Sequence, residues 1–123
     1  MTTKIKIPQK ITIGCHTYKL FRAGDEELVG FDGTAAHRAE LLYIAKSLPI
    51  TRQNTAFIHE CLHTIIHVWD IKELMGEDAE GVINRLDEGL GELLFNNLGI
   101  EFDWSDIKDL KLTPIESKDD DQG

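Results

Sequence analysis

The sequence predicts an α+β fold in which a small antiparallel β-sheet packs on two helices. Short β-rich runs fill the first third of the chain, and from residue 51 onward apolar residues recur at the three- and four-residue spacing of amphipathic helices. With 123 residues and 41% hydrophobic side chains, the chain has the length and composition of one domain. We therefore predict a single domain over residues 1–115 and a disordered acidic tail over 116–123.

The strands are predicted before residue 50. Residues 10–13 and 17–21 are β-rich and are separated by a short segment containing glycine, which is the arrangement of a β-hairpin. Residues 28–34 hold two glycines around an aromatic residue and predict a turn-rich strand or a loop. The apolar run 40–45 is short and is soon followed by Pro49, which favours a buried strand over a helix.

Two helices are predicted in the second half of the chain. The first is capped by Thr51 or Asn54, has a wide apolar face, and ends within residues 70–76. The second covers residues 77–98, because acids at its start complement the helix dipole and a glycine follows its end. A short helix is also expected within residues 102–114.

The charge balance argues against nucleic acid as a partner. The chain has 22 Asp and Glu against 13 Lys and Arg, a formal net charge of -9, and no concentrated basic face to neutralise phosphates. Its two cysteines form no C-x-x-C pair, which favours a reducing compartment. No apolar run approaches the ~20 residues of a membrane-spanning helix, and the N-terminus does not resemble a signal peptide. We therefore predict a cytoplasmic protein that binds neither nucleic acid nor membranes.

The first predicted helix contains the pattern H-E-x-x-H at residues 59–63. Residues four apart lie on one helical face, about 6 Å apart along the axis, so the imidazoles of His59 and His63 can converge on one cation. Glu60 lies beside this pair, where it can accept a proton from a water and return that proton to a leaving amine. The pattern predicts His59 and His63 as metal ligands and Glu60 as the general base.

The other histidines and the nearby cysteine are not predicted to bind the metal. His67 lies ~12 Å along the helix axis from His59, too far to share one tetrahedral centre, so we expect it beside the ligands, in the cleft or exposed. His16 and His37 fall in the strand region without a ligand partner nearby and receive no role. Cys61 is expected to be a small buried hydrophobic residue.

The third metal ligand is expected on the second helix, which carries Glu80, Asp87, Glu88 and Glu92. At about 100° per residue, Glu80 and Asp87 fall together on one flank of the apolar face, whereas Glu88 falls almost opposite. A ligand must face the first helix from the edge of the core, which favours Glu80. Asp87 is then a second candidate ligand or an acceptor for a ligand imidazole.

These two helices together resemble a known family. The H-E-x-x-H pattern at 59–63, followed by E-G-V-I-N-R-L at 80–86, resembles the zincin metallopeptidases, in particular the ImmA/IrrE-like proteins and their small phage and prophage relatives. Those proteins pair H-E-x-x-H with a later E-x-x-A-N-x-F-A helix. The resemblance covers residues 10–98 and implies a minimal zincin-like domain. It also implies that the strand just before the active-site helix forms the sheet edge along which an extended substrate lies.

The resemblance implies Zn2+ as the cofactor, with His59, His63 and Glu80 as its ligands and Glu60 as the general base. The second motif is matched only in part, because larger or charged residues stand where the family has a small residue, an aromatic and an alanine. In addition, residues 86–90 resemble an L-N-E-G-F segment in which other zincins carry the third ligand. Glu88 is therefore the alternative third ligand, ahead of Asp87.

The function implied by the resemblance is zinc-dependent hydrolysis of a peptide bond in a protein or peptide substrate, such as a regulator of a phage or mobile element. Glu60 would activate a zinc-bound water for this reaction. Two alternatives stay open. The protein could bind zinc without catalysis as an interaction module, for example an adaptor or anti-repressor, or it could be a metal-free interaction domain.

Overall fold

A computed structural model of the chain describes residues 2–110. The predicted acidic tail, 116–123, lies outside the described residues, as do the last residues of the predicted 1–115 domain. The described part is a mixed α+β arrangement of six strands, three α-helices, one 3-10 helix and one π-helical segment. The predicted α+β class is therefore confirmed.

Five of the six strands precede residue 50, and the longer helices follow them. The strands β1 to β6 are Thr3–Lys6, Lys10–Ile13, His16–Ala23, Gly33–Ala36, Leu41–Ala45 and Ile100–Asp103. The helices α1 to α3 are Asp25–Leu28, Ile50–Val68 and Ala79–Gly91. The 3-10 helix is Lys72–Met75, and the π-helical segment Glu92–Asn97 continues directly from α3.

The main sheet has four strands in the order β2-β3-β5-β4. The predicted hairpin is confirmed as β2 and β3, which pair antiparallel around a turn containing Gly14 at φ 62. At the centre, however, β3 and β5 run parallel, so the prediction of an antiparallel sheet is wrong there. The reason is the connection between them, because the chain passes through α1 and the edge strand β4 before it returns as β5.

A second, two-stranded sheet joins the two ends of the described chain. Strands β1 and β6 pair in parallel, with Thr3 opposite Ile100. Residues 102–110 contain the end of β6 and turns, so the short helix expected there is absent from the described part of that segment. Aromatic packing accounts for the extended chain, since Phe102 contacts Phe57 and Phe95 edge to face at ring separations of 5.8 and 5.1 Å.

The main core lies between the four-stranded sheet and α2. Leu42 and Ile44 alternate along β5 and are completely buried, which confirms the predicted buried strand. They pack in one cluster with buried side chains from β3, from α2 and from the segment after β6: Tyr18, Leu20, Ala56, Trp104 and Ile107. This cluster fixes α2 against the sheet, and α2 carries the H-E-x-x-H pattern.

Helix α2 begins at Ile50, before both predicted cap residues, and without a side-chain cap. Pro49 precedes the first turn, and no side-chain hydrogen bond caps that end. Asn54 is buried inside the helix, where its side-chain oxygen accepts a hydrogen bond of 2.7 Å from the indole N–H of Trp104. Asn54 therefore binds a core side chain and does not cap the helix. Thr51 lies within the first turn.

Helix α3 begins at Ala79, two residues after the predicted start. The Asp78 side chain caps the helix by accepting a hydrogen bond of 3.2 Å from the backbone N–H of Gly81. The π-helical segment then extends the helical chain to Asn97, and Gly99 at φ 65 ends it. Within residues 2–110, no helix has both the length and the apolar character needed to cross a lipid bilayer.

Candidate metal centre

Two histidines on α2 face helix α3. His59 and His63 are one turn apart, their ring centroids are separated by 4.7 Å, and their Nε2 atoms are 3.1 Å apart. Both rings are partly buried, with 19% and 33% of the side chain exposed. The helical spacing of the pattern therefore gives two imidazole nitrogens that point to one location.

Glu80 completes the cluster from the first turn of α3. Its Oε1 lies 3.1 Å from His59 Nε2, and its Oε2 lies 3.2 Å from His63 Nε2. One ligand atom from each of the three residues can be chosen so that all lie within 4.8 Å of one another. Because the Asp78 cap fixes where α3 begins, it also fixes Glu80 opposite the two histidines.

The three side chains lie close enough together to share one metal ion. Ligand atoms that each lie ~2.0 to 2.1 Å from a tetrahedral centre are about 3.3 Å from one another. The two imidazole nitrogens are 3.1 Å apart, and each lies 3.1 to 3.2 Å from a different oxygen of the Glu80 carboxylate. Two imidazole nitrogens and a carboxylate oxygen are also a donor set that suits Zn2+.

Asp87 lies on the other side of the His59 ring. Its Oδ2 is 2.6 Å from His59 Nδ1, and 12% of its side chain is exposed. The carboxylate accepts a hydrogen bond from Nδ1–H, so the lone pair of the neutral ring is on Nε2, the nitrogen that faces Glu80 and His63. Of the two roles predicted for Asp87, the geometry corresponds to the acceptor for a ligand imidazole.

The structure does not bring the remaining acids of α3 into the cluster. Glu88 is exposed and lines the neighbouring cavity, but it does not belong to the group formed by His59, His63 and Glu80 among the described residues. Glu92 is exposed at the start of the π-helical segment. Among the predicted candidates for the third ligand, Glu80 is therefore the one that the geometry favours.

Glu60 is buried beside the cluster, with 7% of the residue exposed. The pKa of its carboxyl is raised to about 7, chiefly because burial disfavours the charged form; the neighbouring His59 lowers the pKa and Glu80 raises it. Strand β4 passes close to Glu60 at Gly33. A Cβ atom added to this glycine would lie 3.1 Å from Glu60 Cγ. The carboxyl is thus held beside the cluster with a pKa near neutral pH.

The cluster opens into a cavity of about 940 Å³ between β4, α2 and α3. Its wall on the sheet side consists of residues of β4 and His37, and its floor contains His59, Glu60 and His63. The strand that borders the cavity is β4, whereas β5, expected at the sheet edge, pairs on both sides. The expectation for β5 is therefore wrong, because the chain inserts β4 outside it.

Sequence reasoning missed His37 as a residue of this cavity. Its Nδ1 lies 3.0 Å from the hydroxyl of the buried Tyr18, and its ring stacks on His67 at 3.9 Å with an interplanar angle of 6°. Burial and the neighbouring His67 and His63 lower the pKa of His37. No local pattern indicates this role, since the sheet brings together residues that are distant in the sequence.

The structure accounts for the other predicted positions as follows. His67 is exposed and contacts His37 rather than the ligands. His16 is exposed and pairs with Glu40 at 2.6 Å, outside the cavity lining. Cys61 is partly buried, and burial raises the pKa of its thiol to about 12, which disfavours the thiolate that a metal would need.

Comparisons of the chain with protein-family models, with curated proteins and with solved structures find no match. The relationship to the zincins therefore stays a prediction from the two motifs. The function is therefore inferred from the chemistry of the residues that the fold brings together.

Proposed function

We propose that the protein is a zinc-dependent peptidase of the zincin type that hydrolyses peptide bonds in a protein or peptide substrate. One observation carries the proposal. A cluster of two imidazoles and a carboxylate, whose ligand atoms lie within 4.8 Å of one another, lies next to a buried carboxyl in an open cavity. The zincin relationship to ImmA/IrrE-like proteins is part of this proposal and depends on the two sequence motifs.

His59, His63 and Glu80 would hold the metal, and Asp87 would keep the His59 ring in the required orientation and tautomer. A bound Zn2+ supplies two kinds of chemistry, since it polarises a carbonyl group and lowers the pKa of a water to about 7. The open cavity leaves room for a substrate on the side of the cluster that the three ligands do not occupy.

Glu60 would transfer the proton in this reaction. As a carboxylate it takes one proton from the attacking water, whose oxygen forms a bond to the carbonyl carbon. It then gives that proton to the amide nitrogen as the C–N bond breaks, so the products are a carboxylic acid and an amine. Burial beside the cluster holds the carboxyl in place to accept the proton first and then to donate it.

The shape of the cavity supports an extended peptide as the substrate. Strand β4 borders the cavity, and within the described residues it pairs only with β5. Its other edge leaves backbone N–H and C=O groups to which an extended chain can add as a further strand. A cytoplasmic location and the absence of nucleic acid as a partner stay predictions from composition and charge.

The test compares Glu60→Gln with the matched control Glu88→Gln, since Glu88 is an exposed glutamate lining the same cavity. We expect the zinc-loaded wild type and E88Q to cleave denatured casein, and E60Q to bind zinc normally without cleaving. Elemental analysis measures zinc, and mass spectrometry detects new peptide ends. Zinc binding without cleavage in wild type would favour the non-catalytic module, and absence of zinc would favour the metal-free domain.

A further inference from the structure

His37 lies in the wall of the cavity but has no part in the metal cluster or the proton transfer proposed above. It directly follows β4, the strand that borders the cavity. Two contacts hold its ring. Nδ1 lies 3.0 Å from the Tyr18 hydroxyl, and one ring face stacks on His67 at 3.9 Å.

The contact with Tyr18 selects one tautomer of His37. Tyr18 is 1% exposed, and His37 Nδ1 is the hydrogen-bond partner of its hydroxyl among the described residues. A buried hydroxyl proton without an acceptor is costly, so the hydroxyl donates and Nδ1 accepts. The ring proton then lies on Nε2, the ring nitrogen that does not contact Tyr18, and the His37 side chain lines the cavity.

We infer that His37 donates a hydrogen bond from Nε2–H to the carbonyl oxygen of the scissile peptide, which gains negative charge when water adds to the carbonyl carbon. Tyr18 is the positioning residue that fixes the tautomer and orientation of His37. The inference rests on the proposed function. A donor held in place before the reaction stabilises the developing charge more than the ground state, so its effect falls on kcat.

The state of the His37 ring agrees with this role. Burial lowers its pKa, and the two histidines that face it, His67 and His63, lower it further when they carry charge. The phenol of Tyr18 stays protonated, since burial and the charge of Glu40 raise its pKa. Both groups are therefore neutral near pH 7, and each retains the proton that it has to donate.

The hydrolysis test uses denatured casein and the zinc-loaded protein. His37→Phe keeps the stacked ring but removes the donor, and His37→Gln can place an amide N–H near the position of Nε2. The matched control is His16→Phe, because His16 is also bonded through Nδ1, to Glu40, but lies outside the cavity lining.

We expect H37F to lower kcat by roughly 100-fold with little change in KM or zinc affinity, as for the loss of one oxyanion donor. H37Q should recover part of the rate. Tyr18→Phe should lower kcat by about tenfold, as expected for a group that orients another residue. H16F should match wild type. Near wild-type kcat in H37F, or a loss of rate explained by loss of zinc, would overturn the inference.

Two further measurements do not depend on hydrolysis. Nitrogen NMR of the metal-free protein should show His37 with its proton on Nε2, and Y18F should shift the population toward Nδ1–H. A proton on Nδ1 in wild type overturns the inference. Inorganic phosphate, titrated into the zinc-loaded protein, serves as a tetrahedral oxyanion.

The phosphate titration separates the two proposals if wild type does not cleave casein. That result removes the peptidase function but leaves the donor role of His37 open to test. Phosphate affinity that is about tenfold lower in H37F than in H16F supports a donor to an anion in the cavity. Equal affinity in the two variants overturns the inference as well.

Discussion

Asp87 on α3 and His59 on α2 are joined by a hydrogen bond of 2.6 Å between Oδ2 and Nδ1. Both side chains are largely buried, with 12% and 19% exposed. The contact crosses from one helix to the other and lies on the side of the imidazole opposite the candidate metal site. It therefore connects the packing of the two helices with the orientation of a metal-binding group.

Replacement of Asp87 by Asn should weaken zinc binding without removing it. The amide is nearly isosteric, but it loses the charge that makes the His59 ring a stronger ligand. We expect affinity for zinc to fall roughly 10- to 100-fold. Competition with a fluorescent chelator measures this change. Glu88→Gln is the control, since it removes an adjacent exposed acid and should leave the affinity unchanged.

Replacement of Glu80 by Gln should reduce zinc affinity more than D87N does, because it alters a group that contacts the metal directly. A loss of about 100-fold or more is expected for a ligand, against the smaller effect of a group that only orients one. The same chelator competition measures both variants. If E88Q loses zinc while E80Q retains it, the alternative third ligand Glu88 is correct instead.

The helices of this protein were predictable because their signals are local. The period of apolar residues in α2 and the acidic cap of α3 are each contained in one short stretch of sequence. The rotation of about 100° per residue, which places Glu80 and Asp87 on one flank of α3, depends only on helix geometry. In the structure both residues do face His59. Local regularity therefore placed Glu80 first among the candidate third ligands, while Glu88 and Asp87 stayed open as alternatives.

The sheet topology and the role of His37 were not predictable in this way. The parallel pairing of β3 with β5 depends on where β4 inserts, and no residue in either strand specifies that choice. His37 reaches the cavity because the sheet carries it opposite α2, while Tyr18 on another strand binds its ring. Such contacts arise from pairing between distant segments, which periodicity in the sequence does not encode.

The lowered pKa of His37 predicts a loss of stability on acidification. In the folded protein the pKa of His37 lies below the ordinary histidine value of 6.5, so the folded state binds fewer protons than the unfolded state as pH falls. The stability that the neutral His37 ring contributes is present above pH 6.5, and it is lost as the pH falls through the pKa of His37 in the folded protein.

Urea unfolding of the metal-free protein at about pH 7.5 and about pH 5.5 checks this prediction. The decrease in unfolding free energy between the two conditions should be smaller in H37F than in wild type, since Phe does not titrate. H16F controls for loss of an exposed histidine and should behave as wild type. An equal decrease in wild type and H37F would show that His37 contributes nothing to the pH dependence.

Replacement of Gly33 by Ala should disturb the strand that borders the cavity. The new Cβ would lie 2.9 Å from the carbonyl oxygen of Tyr43 and 3.1 Å from Glu60 Cγ. A backbone oxygen in a paired strand cannot move aside alone, so β4 must shift from β5 and from Glu60. We expect a loss of about 1–3 kcal/mol in unfolding free energy and a lower rate of casein cleavage.

Gly89→Ala is the matched control for this substitution. Gly89 lies within α3, where an added Cβ meets no atom within 4 Å. Alanine should therefore stabilise the helix there by up to about 1 kcal/mol, with cleavage unchanged. Urea unfolding measures both variants, and zinc affinity should be retained in each because neither residue contacts the cluster. Equal stability of G33A and wild type would mean that β4 accommodates a side chain, and that its close contact with Glu60 does not constrain the site.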